Sequence, residues 1–217
     1  MNNPDIILHL GLPKTGTTWM QSEIFGKLKN INYIHKFELG SIIPDNNKKT
    51  IISMESLSGI PFPSYPAETR YVLADRLKVC FPEAKIVIGF RDKEKWKKSV
   101  YKQYVIGGRT LSKVRFLEKL DDGFLDFDKY INYLNILFKD VYVYQFEDLV
   151  KDKHVFVKNL CTFMNVEEPN WKDLIYRKGL SDGKTETLRK LNCIIPTNQF
   201  SWNRFVSYVS GAWRGME

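Results

Sequence analysis

The chain has 217 residues, 43% of them hydrophobic and 14% aromatic, which is enough apolar material for a substantial core and too much for a disordered segment. No run approaches the roughly 20 apolar residues that cross a bilayer, and Met1-Asn2-Asn3-Pro4-Asp5 lacks the charged and then apolar character of a signal peptide, so a cytoplasmic protein is expected. Lysine and arginine exceed aspartate and glutamate by eight, a balance that suits nucleic acid, a membrane surface or a small anion; without zinc-finger spacing, stacking motifs or a basic tail, nucleic acid is set aside.

Ile6-Ile7-Leu8-His9-Leu10 reads as a short buried strand and Gly11 as its turn, while Met20, Ile24, Phe25 and Leu28 recur at helical spacing. Between them lies Pro13-Lys14-Thr15-Gly16-Thr17-Thr18-Trp19. A Gly-, Thr- and Lys-rich turn between a strand and a helix start is an anion site. Helix N–H groups without intrahelical acceptors point at the ligand, and the helix dipole favours negative charge. Thr15, Thr17 and Thr18 add hydroxyls and Lys14 a mobile cation. The nucleotide P-loop, G-x-x-x-x-G-K-S/T, needs its lysine directly after the second glycine. Gly11 and Gly16 hold the glycine positions here, but Thr17 stands where that lysine belongs, which makes a poor Mg-nucleotide site.

Ile31 to Ile34 suggests a second strand, 43–47 a polar break, and Thr50 to Met54 a third strand delivering Glu55 to the same sheet edge. Residues 59–66, with three prolines and two aromatics, read as a loop or lid. Pro66 to Phe81 reads as a helix with Leu73, Leu77, Cys80 and Phe81 at core spacing, stopped by Pro82. Ala84 to Phe90 is a near-continuous apolar run, as for a strand buried on both faces. It ends in Arg91-Asp92, and a helix follows over 93–105 carrying Ser99 and the densest lysine group, Lys93, Lys95, Lys97, Lys98 and Lys102. An arginine at the carboxyl end of a parallel strand stands where ligands bind in open α/β folds, and its planar fork suits phosphate.

Gly107-Gly108 closes that helix, and 113–138 is mainly helical. Val141 to Phe146 alternates like a strand and meets Glu147-Asp148, read as capping and turn residues, before a helix over 155–164. Lys184 to Leu191 and Phe200 to Val209 read as helices. Cys80, Cys161 and Cys193 form no metal pattern and read as buried reduced thiols. The alternation of strands and helices predicts a single domain over 1–217. Its fold class is α/β, a three-layer α/β/α sandwich around a central parallel sheet, with the loops after strands one and four meeting at one edge.

Three segments carry a family resemblance. Lys14-Thr15-Gly16-Thr17-Thr18-Trp19 resembles the 5′-phosphosulfate loop of sulfotransferases that use 3′-phosphoadenosine-5′-phosphosulfate, PAPS. Arg91 and Ser99, in the aromatic setting of Trp96, Tyr101 and Tyr104, resemble the strand arginine and helix serine with which that family holds the 3′-phosphate. Phe146-Glu147-Asp148-Leu149 and Phe163-Met164-Asn165-Val166 match its strand, Glu-Asp-Leu and helix pattern. The resemblance covers roughly residues 5–165, as a bacterial-type or glycosaminoglycan-type domain with a P-loop nucleotide-kinase-like fold. It implies PAPS as co-substrate, held by Lys14, Thr15, Gly16, Thr17, Thr18, Trp19, Arg91 and Ser99, a hydroxyl acceptor on a glycan or small alcohol, and no metal. Lys14 is the expected catalytic cation. Glu55 is the expected base, as in the glycosaminoglycan branch, with His35 in reserve; His9 reads as a packed core residue and His154 as solvated. Arg177-Lys178-Gly179 lacks the tryptophan of the family's C-terminal cofactor element, and those roles are not carried over. The alternatives are a divergent P-loop kinase or nucleotidase and a catalytically silent nucleotide-binding module.

Overall fold

In the computed structural model, which describes residues 5–35, 48–174 and 179–194, five strands form one parallel sheet. They are β1 (Ile6–His9), β2 (Ile31–Ile34), β3 (Lys49–Ser53), β4 (Lys85–Phe90) and β5 (Val141–Gln145), paired in the order β2-β3-β1-β4-β5. β1 and β4 are almost wholly buried, as their unbroken apolar runs require. The chain leaves β1 toward β2 on one side, returns through β3, and then crosses β1 to reach β4 and β5. Parallel crossovers are right-handed, so this reversal puts the connection after β1 and the connection after β3 on opposite faces of the sheet. β1 and β4 are neighbours at the reversal, so the loops beyond their carboxyl ends leave the sheet side by side, where ligands bind in open α/β folds.

The chain divides into two compact units. Among the described residues, 5–35, 48–60, 66–92 and 122–174 belong to the first, and 61–65, 93–121 and 179–194 to the second. The first holds the sheet. Its helical segment after β1 is α1 (Thr17–Trp19), continued by a π-helical turn Met20–Ile24 and a 3₁₀ turn Phe25–Lys27. Met20, Ile24 and Phe25 are buried as their spacing predicts, and Phe25 packs edge-on against His9 at 5.1 Å. α2 (Thr69–Cys80), α5 (Phe127–Leu137), α6 (Phe146–Lys151) and α7 (Lys153–Met164) complete this unit. Phe127 packs against Phe90 of β4 at 4.8 Å, and Asp152 caps α7 by accepting from the Val155 amide.

The second unit contains α3 (Lys93–Ile106), α4 (Lys113–Lys119) and α8 (Asp182–Ile194). Trp96, Val100, Tyr101, Tyr104 and Val105 line the buried face of α3, with Phe116 of α4 at 5.4 and 4.9 Å from the Tyr101 and Tyr104 rings. Asn192 of α8 donates to the carbonyls of Val105 and Arg109, closing the end of α3. The lysine-rich face of α3 is partly paired: Lys97 meets Glu94, and Lys102 lies 2.7 Å from Asp182 of α8. No helix of the described residues is long and apolar enough to cross a membrane.

Two expectations are corrected. The buried face of α2 is Arg70, Ala74 and Leu77, while Cys80 is exposed and Leu73 and Phe81 only half-buried. The cause is Arg70. Its guanidinium lies 3.8 Å from the centre of the Tyr130 ring and donates to the carbonyls of Gly123 and Asp126, so a charged residue turns inward and rotates the helix. Of the three thiols only Cys161 is buried; Cys80 and Cys193 stand at the surface. The helix expected over Phe200 to Val209 and the break at 43–47 lie outside the described residues.

Candidate functional site

The turn after β1 has an unusual backbone. Lys14 and Gly16 both have positive φ, 71° and 89°. A left-handed non-glycine residue costs roughly 1–2 kcal/mol, so the surrounding contacts must hold Lys14 there. Thr15, fully buried, donates its hydroxyl to the Leu12 carbonyl at 2.6 Å. Alternating right- and left-handed residues form a concave nest whose N–H groups converge on an anion. The Met20 amide bonds back to the Gly16 carbonyl, so helix geometry leaves the N–H groups of Thr17, Thr18 and Trp19 without intrahelical acceptors. Thr17 Oγ1 is buried and has no hydrogen-bond partner among the described residues. An added Cβ at Gly11 would lie 2.6 Å from that oxygen, so only glycine fits beside Thr17.

Arg91 reaches the same turn. Its Nη1 donates to the Lys14 carbonyl at 3.2 Å, and its guanidinium packs 4.4 Å from the centre of the Phe146 ring. Burial lowers the Arg91 pKa from its usual value, while the nearby Glu147 and Asp92 carboxylates act the other way; an arginine keeps its charge regardless. Its Nε is buried with no partner among the described residues. The guanidinium therefore spends one N–H on the loop and retains donors for an anion. Glu147 also accepts from the Asp92 amide at 3.4 Å, so this carboxylate steadies the end of β4 as well as the first turn of α6.

Tyr144 braces the turn from below. Its hydroxyl donates to the Thr15 carbonyl at 3.2 Å, crossing β4 at Gly89, where an added Cβ would meet the Tyr144 ring at 2.1 Å. With the carbonyls of Lys14 and Thr15 turned to Arg91 and Tyr144, the loop presents amides rather than oxygens to a ligand. Burial pushes the Tyr144 phenol well above its ordinary value; the contact with Thr15 opposes this, and the Glu55 carboxylate acts with burial.

Glu55 opens the 3₁₀ turn Glu55–Ser58 directly after β3 and is half-buried. Its strand is in register with β1, His9 facing Ser53, and the Met54 amide donates to the His9 carbonyl, so Glu55 leaves the sheet at the same edge as the loop. His35 follows β2, the outer strand on that side, and is exposed, its ring 6.0 Å from Tyr33. His9 is a core residue as expected. It is fully buried, its Nδ1 is 2.7 Å from Ser53 Oγ, and burial lowers its pKa to about 3. His154 is exposed but stacks on Trp171 at 4.7 Å. Trp19 is pinned by a hydrogen bond to the Lys172 carbonyl and by the edge of Trp171, and buried Glu23 accepts the Lys172 amide at 2.7 Å. Ser99 lies half-buried on α3 in the second unit.

The structure places Lys14, Thr15, Gly16, Thr17, Thr18, Trp19, Arg91 and Glu55, expected from sequence as site residues, in one unit, with Arg91 touching the loop itself, and Ser99 in the other. Sequence reasoning found no pointer to the contacts that brace the loop. It misses Tyr144 and the Trp171-Lys172 clasp. A signal for Tyr144 was present: Gly89 interrupts a β-branched run, and a glycine inside a strand marks a close approach by another group.

No protein-family model matches the chain, and no curated protein matches it in sequence. Among solved structures, a sulfotransferase from Alicyclobacillus acidocaldarius superposes over 88% of this chain and 93% of its own, with a TM-score of 0.56 at 16% identity. The chain has the sulfotransferase fold. At that identity the likeness is one of fold. The mouse sulfotransferase SULT7A1 complexed with PAP covers 88% of this chain and 64% of its own, at 18% identity and TM-score 0.48. The sulfotransferase domain from the curacin biosynthetic pathway covers 97% and 99%, at 14% and 0.49. Among the described residues no group of three or more His, Cys, Asp or Glu side chains could hold a metal ion.

Proposed function

We propose that the chain is a PAPS-dependent sulfotransferase that moves a sulfuryl group to a hydroxyl on a glycan or small alcohol and releases 3′-phosphoadenosine-5′-phosphate, PAP. The observation that carries this reading is the hydrogen bond from Arg91 to the Lys14 carbonyl, which joins two of the segments that carry the resemblance while leaving Arg91 Nε and Thr17 Oγ1 buried and unpartnered among the described residues. Buried polar groups without partners cost free energy, and a doubly phosphorylated nucleotide supplies acceptors for both. The residues present therefore fit the ligand.

When bound, PAPS supplies an activated sulfuryl group joined to the 5′-phosphate through the oxygen that departs. The loop amides, Thr17 and Thr18 hold the phosphosulfate, and Trp19 closes the loop. Lys14 follows negative charge onto the departing phosphate oxygen, and Glu55 takes the proton of the acceptor hydroxyl as its oxygen bonds to sulfur and the sulfur–oxygen bond to phosphate breaks. His35 stands in reserve for that proton. Fixed donors aimed at developing charge supply most of the rate in such a site.

Calorimetric titration with PAP, followed by incubation with sulfur-labelled PAPS and a panel of hydroxyl acceptors, tests the reading. Binding and label transfer are expected. Tighter magnesium-dependent binding of ATP than of PAP would make the chain a divergent kinase or nucleotidase; binding with no transfer to any acceptor would make it a silent nucleotide-binding module.

A further inference from the structure

A polar chain, half-buried at Gln21 and fully buried at Ser53 and His9, lies beside the proposed anion loop, and nothing in the proposed chemistry uses it. Gln21 Nε2 lies 3.3 Å from the Ser53 carbonyl and 3.0 Å from Ser53 Oγ. The carbonyl fixes the orientation of this amide, because the opposite one would set two oxygen acceptors against each other. Gln21 is therefore the donor, and Ser53 Oγ accepts from it. The Ser53 hydroxyl proton then has one acceptor within reach, His9 Nδ1 at 2.7 Å. With Nδ1 accepting and the ring neutral, the proton of His9 sits on Nε2. That N–H is buried and has no partner among the described residues.

The second orphan also lies beside Gly11. The point an added Cβ would occupy at Gly11 is 2.6 Å from Thr17 Oγ1 and 3.0 Å from His9 Cε1, the carbon next to Nε2. An unpaired donor and an unpaired hydroxyl, both buried, thus lie near one glycine with no hydrogen bond between them, a pair of groups of the kind that a single ordered water bridges. We propose that His9 is a positioning residue, whose Nε2–H is passed through one water beside Gly11 to the Thr17 oxygen. With its lone pair so engaged, the Thr17 hydroxyl has its own proton turned outward, as a donor to the bound phosphosulfate. The order of donation runs from Gln21 through Ser53, His9 and Thr17 to the anion. Gly11 is then required because a Cβ there would press on both Thr17 and His9, as well as for its turn.

This inference rests on the loop being an anion site, and its first test does not depend on any ligand. Nitrogen-15 correlation spectra of the imidazole in the full chain are expected to show the Nε2–H tautomer, unchanged between pH 8 and 5. The Nδ1–H tautomer, or a charged ring at pH 5, overturns the relay. The second test is a mutant cycle read by PAP titration. His9→Phe keeps the ring volume and loses the donor, and should weaken binding about three- to tenfold, the worth of one hydrogen bond. Thr17→Val should cost at least as much, and the double variant no more than Thr17→Val alone. Additive losses would mean that His9 acts only through packing and sink the proposal. Failure of the wild-type chain to bind PAP sinks the proposed function instead, while the tautomer still decides the relay.

Discussion

The two ends of the parallel sheet use similar side chains to opposite effect. At the amino end, Lys49 donates to the carbonyls of Met164 and Asn165 and pairs with Asp5 at 3.2 Å, while Lys85 donates to the Phe163 carbonyl and lies over the Phe163 ring. Those cations close the C-terminus of α7, where the helix dipole favours positive charge. At the carboxyl end, Arg91 also donates to a backbone carbonyl and lies over an aromatic ring. There, however, Arg91 Nε, Thr17 Oγ1 and His9 Nε2 are buried without partners among the described residues, and two loop residues have left-handed backbones. One end is complete as folded. At the other, on the proposed function, a ligand supplies the partners that the described residues do not, and this difference is what separates a structural cation from a binding one.

The largest effect expected from breaking the carboxyl end is on turnover. Lys14→Ala should lower kcat by about 10²–10³-fold, the range for removing one donor aimed at developing charge, with PAP affinity changed far less. Single-turnover assay with labelled PAPS separates the two, and an intact kcat removes Lys14 from its assigned role. Arg91→Ala comes next. Loss of charge-assisted contacts should weaken PAP binding by roughly 2–3 kcal/mol, read by calorimetry, and Arg91→Lys should not restore it, since an ammonium lacks the planar fork.

The carboxyl end should also weaken with acid. His9 has a folded pKa near 3 because burial disfavours its charged form, against 6.5 when exposed. A folded value below the unfolded one means that the unfolded chain takes the proton first. Stability is unaffected by His9 above pH 6.5 and falls as pH drops from there toward 3, by about 1.4 kcal/mol per pH unit. Between pH 7 and 5 the wild type should lose roughly 2 kcal/mol that His9→Phe does not. Parallel urea-unfolding slopes for the two proteins would show that His9 is not held neutral.

What was legible in the sequence follows from the same contrast. β1, β3 and β4 are apolar runs ending in Gly, Glu and Arg, and the turn after β1 is a local pattern of glycines and threonines, so the strands and that turn could be read directly. Tertiary partners could not. Arg70 enters the core because Tyr130 and two carbonyls receive it, and a hydrophobicity pattern passes over an arginine and assigns Cys80 in its place. Tyr144 looked like one more residue of an alternating strand; its role depends on Gly89 of the neighbouring strand leaving room for its ring. Glu147 was read as a turn residue of its own helix, yet it also serves the Asp92 amide. Each miss is a contact between residues distant in sequence, where local patterns carry no information.

The smallest predicted effect tests the amino end. Lys49→Met keeps the apolar stem of the side chain and removes its charge, leaving the Met164 and Asn165 carbonyls to water or to each other. The side chain is mostly buried, 12% exposed, and its partner Asp5 is half exposed, so the ion pair itself contributes little and the helix-end hydrogen bonds carry the loss, about 1 kcal/mol. The urea midpoint should fall accordingly while the PAP titration stays that of the wild type. If Lys49→Met weakened PAP binding as much as Arg91→Ala does, the two ends of the sheet would be coupled through β3 and β1, and the division between a finished end and a ligand-completed end would fail.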